Sequence, residues 1–181
     1  MKIISVILAA VLSFISFSAF SSGNTVTTVG TYGIWNVNEF IKPDGTPLNC
    51  AIQHQDSNGT WTTIYMGYTG EFAAPGESEQ VHWKMGNTAW DHAVDTAETS
   101  PVTDTVTIGT RSWVGTTISP TTNSVELVFP LDSSFVPALT SSSVMTIDYT
   151  SGVHHSFDIT GVSAAWAAMT RCRAANHLTQ H

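Results

Sequence analysis

Basic residues are scarce in this sequence. Its 181 residues include six lysines and arginines against fourteen aspartates and glutamates, which gives a formal net charge of −8 at pH 7. Nucleic acids and anionic membrane surfaces are bound through basic patches. The composition therefore argues against both as partners of this protein.

Cysteine is scarce too, since only Cys50 and Cys172 are present. The chain has no CxxC pair, so the usual spacing of a zinc site is missing. In an exported chain two distant cysteines most simply form a disulfide, and we expect a bridge between Cys50 and Cys172. Such a bridge leaves no thiol for a cysteine nucleophile. The Gly-x-Ser-x-Gly elbow of many serine hydrolases is also missing.

Long apolar runs are absent except at the N-terminus. Met1 and Lys2 give a short basic start, residues 3–20 are apolar apart from serines, and Ala19 and Ser21 are small residues suited to cleavage. This arrangement predicts a Sec-type signal peptide over residues 1–22 and a mature periplasmic or secreted protein without a membrane anchor. We expect residues 23–176 to form a single β-sandwich domain and 177–181 a flexible tail.

Alternation of apolar and polar residues dominates the rest of the chain. It predicts strands over residues 33–40, 49–55, 61–68, 81–85, 102–108, 112–118, 123–129, 144–149 and 153–159. Pro43-Asp-Gly45 and Asn58-Gly59 mark turns, and residues 22–31 are expected to be a polar lead-in. Many short strands separated by turns predict a mainly β fold, either an antiparallel β-sandwich or a flattened barrel.

A short C-terminal helix is expected to pack on that sheet. Residues 161–172 are rich in alanine, a strong helix former, and Thr160 is placed to cap the helix. The apolar residues fall on one stripe, with Trp166 as the expected main anchor. Core packing is the simpler interpretation of this stripe, and a partner-binding face is the alternative. The stripe comprises Val162, Ala165, Trp166, Met169 and Cys172, with Arg173 at its edge.

The order of several short motifs resembles a known family. Gly33-Ile-Trp35 precedes a strand with Cys50, and near the end come Phe135-Val-Pro-Ala-Leu139, Met145-Thr-Ile147 and the helix from Gly161 to Cys172. This order is similar to that of the invasion-associated locus B family of exported bacterial proteins. The resemblance covers both ends of the chain. It implies a non-enzymatic β-sandwich, linked in some members to interaction with host cells, and supplies no catalytic residues.

Aromatic residues give the first hypothesis about a binding surface. Trp83 and Trp90, with Asp91, border an irregular segment that is interrupted by glycine. Exposed tryptophans often mark surfaces that bind proteins or sugars, and loops on a rigid scaffold often carry function. We therefore expect the loops of residues 70–100 to bind a protein partner, with core packing of the tryptophans as the alternative.

Histidines give the second hypothesis, a metal site. His82 and His92, joined by one of His154 and His155, could bind Zn²⁺ or Cu²⁺ if they converged. Neighbouring residues of a strand point to opposite faces, so His154 and His155 cannot both serve one site. Ordinary polar positions on strands are the alternative interpretation of these residues.

Three functions follow in order of preference. The first is an exported, non-enzymatic interaction protein with an unidentified protein partner and no cofactor. The second is a periplasmic protein that binds a small ligand or metal through His82 and His92. The third is a hydrolase.

Overall fold

The structure is a computed structural model that describes residues 23–68, 78–89, 103–121, 123–131, 134–149, 152 and 154–178. Ten strands and two helices lie in this part of the chain. They are β1 (Thr25–Tyr32), β2 (Trp35–Ile41), β3 (Pro47–Gln55), β4 (Trp61–Gly67), β5 (Gln80–Gly86), β6 (Thr103–Ile108), β7 (Arg111–Thr121), β8 (Ser124–Pro130), α1 (Phe135–Ser141), β9 (Val144–Asp148), β10 (His154–Asp158) and α2 (Val162–Ala175).

The strands form one antiparallel ladder in the order β1-β2-β3-β4-β5-β8-β7-β6-β9-β10. The long strand β7 joins two halves of it, because residues 111–116 pair with β6 whereas residues 116–121 pair with β8. One half therefore contains β1–β5 and β8, and the other contains β6, β9 and β10. The predicted antiparallel sandwich is confirmed. The fold is not a closed barrel, because β1 and β10 lie at the two ends of the ladder and do not pair with each other.

The two halves face each other across a single apolar core. The ring of Trp83 in β5 lies 6.5 Å from that of Trp35 in β2 and 6.3 Å from that of Phe157 in β10. The hydroxyl of Tyr149, just after β9, donates to the sulfur of Met85 at 3.3 Å. Contacts between residues distant in the ladder show that the sheet folds back on itself, as packed sandwich layers do.

Strand β1 was not predicted. Residues 22–31 were expected to be a polar lead-in, but Thr25–Tyr32 pairs with β2 at the edge of the ladder. Most of its side chains are exposed, so no alternation of apolar and polar residues marks it. The register shifts between Thr28 and Gly30, and such bulges are common in edge strands.

Helix α2 packs against β2 and β3 and so belongs to the core, as the simpler interpretation held. Two details of the prediction were wrong. The N-cap is Gly161, at φ +85°, and not Thr160. Trp166 is only half-buried, whereas Val162, Ala165 and Met169 are fully buried. The Thr160 carbonyl has another role, since it accepts a hydrogen bond from the Trp35 indole at 3.0 Å.

Arg173 fixes the other end of α2. Only 3% of this residue is exposed, and its guanidinium donates to Asn49 Oδ1 at 2.7 Å, to the Met66 carbonyl at 2.9 Å and to Glu79. It also donates to the Leu178 carbonyl at 2.8 Å. These bonds extend two residues beyond the predicted domain end at 176. None of the helices in the described ranges is long and apolar enough to cross a bilayer.

Candidate binding site

The predicted disulfide is present. Cys50 in β3 and Cys172 in α2 are bonded, with their Cα atoms 6.2 Å apart. Both cysteines are thereby consumed, and no free thiol remains. The bridge joins the last turn of α2 to the sheet, so it supports the scaffold and offers no chemistry.

Trp83 does not lie on an exposed surface, and that prediction was wrong. The residue is fully buried on a strand that pairs with β4 on one side and β8 on the other. Its ring packs edge-on against the rings of Trp35 and Phe157. Trp90 and Asp91 lie outside the described residues, so their role in partner binding stays a prediction.

His82 lies on the opposite face of β5 in a buried polar cluster. It is 1% exposed, its ring stacks on that of Tyr65 at 4.6 Å, and its Nδ1 lies 2.9 Å from Glu126 Oε1. The Tyr65 hydroxyl donates to the same carboxylate oxygen, and Lys84 Nζ lies 3.7 Å from the other. We call these four residues the Glu126 cluster.

The cluster holds Glu126 as a buried anion. Burial raises the pKa of its carboxyl, but hydrogen bonds from His82 and Tyr65 and the charge of Lys84 outweigh burial and lower the pKa below its ordinary value. Burial and the neighbouring Glu126 raise the pKa of Tyr65. A carboxylate held by two hydrogen bonds and an ion pair is a structural element rather than an unsatisfied reactive group.

The histidines proposed as metal ligands do not form a site in the part of the chain that the structure describes. His154 is exposed and pairs with Asp148 at 2.6 Å, whereas His155 points to the other face and packs near Tyr149. No group of three or more potential ligands occurs among the described residues. His92 lies outside them, so the hypothesis of a site that includes His92 remains untested.

A cavity that sequence reasoning missed lies where β10 passes the turn between β3 and β4. Its volume is about 230 Å³, slightly below the ~300–1,000 Å³ of pockets for drug-sized ligands. We call it the turn pocket. It is lined by Trp35, His54, Asp56, Asn58, Thr60, Thr62, Asn87, His155, Ser156, Phe157 and Asp158.

One wall of the turn pocket is the hydrogen-bonded turn between β3 and β4. Asp56 Oδ1 accepts from the backbone amides of Asn58 at 3.1 Å and Thr60 at 2.9 Å, and Asn58 Oδ1 accepts from the Thr60 hydroxyl at 2.6 Å. The Asn87 side-chain amide donates to the Asn58 carbonyl and to the Thr60 hydroxyl, both at 3.1 Å. Side chains of this kind that bond to nearby backbone groups fix a turn, and the pocket wall is therefore rigid.

The opposite side comes from β2, β3 and β10. His54 Nδ1 lies 2.9 Å from the Ile34 carbonyl, and Asp158 Oδ1 accepts from the Thr160 amide at 2.8 Å. Hydrogen bonds from Thr160 lower the pKa of Asp158, and the nearby His54 lowers it further. This side therefore contributes an ionised carboxylate and an oriented imidazole beside the half-buried ring of Phe157.

The sequence predicted two of the segments that line this pocket, but not the pocket itself. The segment 56–59 was predicted to be a turn, and residues 153–159 to be a strand with His155 and Phe157 on one face. Nothing in either segment says that β10 returns over the turn between β3 and β4. That meeting is set by the folding of the ladder, which is a property of the whole chain.

Comparisons with known proteins support the architecture. No family model matches the sequence, and no match was found among curated proteins. Among solved structures, invasion associated protein B from Bartonella henselae is similar, with a TM-score of 0.54 and 15% identity over 81% of this chain and 97% of the other. At this identity the likeness establishes a shared fold, in agreement with the resemblance in the sequence motifs.

Proposed function

We propose that this chain is an exported, non-enzymatic binding protein whose binding site is the turn pocket. The observation that carries the proposal is the convergence of carboxylates, imidazoles and aromatic rings in one rigid cavity. Concave sites with a few oriented polar groups are where proteins bind small ligands or the side chains of partners.

Export is supported by two independent features. The basic start and the single apolar run of residues 3–20 have the pattern of a signal peptide. The Cys50–Cys172 bridge is of a kind that persists in oxidising compartments such as the periplasm or the extracellular space. The proposed localisation is therefore periplasmic or secreted.

A non-enzymatic role is supported by the state of the reactive side chains. Both cysteines are bonded, so a thiolate nucleophile is not available. Glu126 is engaged by two hydrogen bonds and an ion pair within its cluster. The solved structure that shares this fold is named as invasion associated, and an interaction role for this chain fits that name.

The test uses the isotope-labelled mature chain and the indole N–H resonances of two tryptophans. The probes are n-butylamine, glucose and butyrate, which represent a cation, a neutral polyol and an anion. We expect at least one probe to shift the Trp35 indole and the amides of residues 56–60 saturably, because these groups border the pocket. The Trp113 indole, which donates to Ser134 Oγ at 3.2 Å, is the internal control and should not move.

The proposal fails if none of the three probes shifts the Trp35 indole or the amides of the turn at millimolar concentration. It also fails if Trp113 shifts as much as Trp35, since such a change would not be local to the pocket.

A further inference from the structure

The groups that the turn pocket leaves without hydrogen bonds are mostly acceptors. Asp56 uses one carboxylate oxygen to fix a local turn, and its second oxygen makes no hydrogen bond within the described residues. Asp158 is exposed and accepts hydrogen bonds from the backbone amide and the side chain of Thr160. His54 faces a carbonyl through Nδ1. Because a carbonyl only accepts, Nδ1 carries a proton.

A threonine side chain also lines the cavity. Thr62 lines the pocket and is only 4% exposed, yet its hydroxyl makes no hydrogen bond to any described residue. This hydroxyl can therefore bond to a group that enters the cavity.

Apart from its two histidines, the charged residues of the lining have one sign. Two aspartates line the pocket, and neither lysine nor arginine is among the lining residues. Trp35 and Phe157 also line the pocket, and aromatic rings can attract cations. A ligand that fits this lining brings hydrogen-bond donors and positive charge, and an ammonium group has both, since it has three donors and no acceptor.

We propose that the turn pocket binds a primary ammonium group, presented either by a small free amine or by a lysine side chain of a partner protein. This inference rests on the proposed binding function at the same pocket. The volume of about 230 Å³ suits a single alkylamine chain or one side chain.

The test measures charge selectivity with the same resonances. We expect n-butylamine to bind at least tenfold more tightly than n-butanol or butyrate at constant ionic strength. Asp56→Asn and Asp158→Asn keep the Oδ1 acceptor that fixes each turn and remove the charge. Each should weaken n-butylamine about tenfold, as expected for loss of one charge-assisted hydrogen bond. Thr62→Val, which keeps the shape of the side chain, should also weaken it.

The matched control is Asp44→Asn. Asp44 Oδ1 accepts from the Thr46 amide at 2.9 Å in the turn between β2 and β3, so it has the same local role but does not line the pocket. This variant should bind n-butylamine as tightly as the unmodified chain does.

A tetralysine peptide and its fully acetylated form distinguish a small free amine from a lysine side chain as the source of the ammonium group. A site for lysine side chains should bind the unacetylated peptide more tightly than it binds n-butylamine.

Two results overturn the inference in different ways. If n-butanol or butyrate binds the pocket as tightly as n-butylamine, the ammonium assignment is wrong but the pocket remains a binding site. If no probe shifts the pocket resonances, the proposed function fails as well.

Discussion

At the scale of single residues, the described part of the chain includes two carboxylate–histidine pairs in opposite environments. Glu126 and His82 are buried, with 8% and 1% of their side chains exposed, whereas Asp148 and His154 are 55% and 57% exposed. We expect Glu126→Gln to lower the free energy of unfolding by about 1–3 kcal/mol, because it removes charge-assisted hydrogen bonds in a buried site. Asp148→Asn should change it by about 0.5 kcal/mol or less. Urea unfolding measures the free energy of unfolding of both variants. Equal losses in the two variants would contradict the prediction.

The lowered pKa of Glu126 predicts how this contribution depends on pH. Because the folded state holds the pKa below the ordinary value of 4.5, the ionised carboxylate stabilises the fold above that value. The contribution is lost as the pH falls through the folded-state pKa. The difference in unfolding free energy between the unmodified chain and Glu126→Gln should therefore be full near neutral pH and shrink below about 4.5. A difference that stays constant down to pH 3 would exclude the charge of Glu126 as its source.

Which face of a strand a residue occupies was predictable, but burial was not. The period of two correctly placed His154 and His155 on opposite faces, and it likewise separates His82 from Trp83. Whether either face is covered depends on strands and loops far away in the sequence. Trp83 was assigned to a binding surface for this reason, although it lies in the centre of the core.

At the scale of elements, the close approach of β7 and β8 depends on a glycine. A Cβ atom added at Gly115 would lie 2.7 Å from the ring of Phe129, and that ring is held by stacking on Phe135 at 4.4 Å. We expect Gly115→Ala to destabilise the fold by about 1–3 kcal/mol, as overpacking does. Gly67→Ala is the matched control in β4, where the nearest atom would lie at an ordinary 3.4 Å. Thermal unfolding of the two variants compares their stabilities. If Gly115→Ala is as stable as the unmodified chain, the Phe129 ring can move aside.

Elements with one buried face were predicted well. Strands β2–β10 and helix α2 were found near their predicted positions, because alternation and helical spacing follow directly from one-sided burial. β1 was missed because it is exposed on both faces. The division of β7 between two partners could not be predicted either, since it depends on how the two halves of the sheet meet.

At the scale of the whole molecule, one covalent bond closes most of the chain into a loop. The bridge spans 122 positions, and in the chain-entropy model a loop of that length stabilises the fold by about 4–5 kcal/mol. We expect the double variant Cys50→Ser, Cys172→Ser to lose up to that amount, measured by urea unfolding. The unmodified chain, recovered without reductant from an exporting host, should weigh two hydrogens less than the reduced form. A chain with the mass of the reduced form, whose stability does not change when reductant is added, would show that the disulfide is absent.

The candidate site belongs to this largest scale, and the sequence could not predict it. Its residues come from β2, β3, the turn between β3 and β4, β4, the residue after β5, and β10. Each segment has an ordinary local explanation as a turn or a strand. Only the return of β10 over that turn brings their polar groups together, whereas the disulfide was predictable because two cysteines allow a single pairing.

The position of α2 sets the order of events during synthesis. All ten described strands precede the helix, so they leave the ribosome before Cys172 and Arg173 do. Until then Cys50 remains a thiol, and the surface of β2 and β3 that α2 covers lacks its partner. Because the chain has only two cysteines, any wrong disulfide must join two molecules. Oxidative misfolding of this protein is therefore bimolecular, and its rate relative to correct closure should rise with the concentration of unfinished chains.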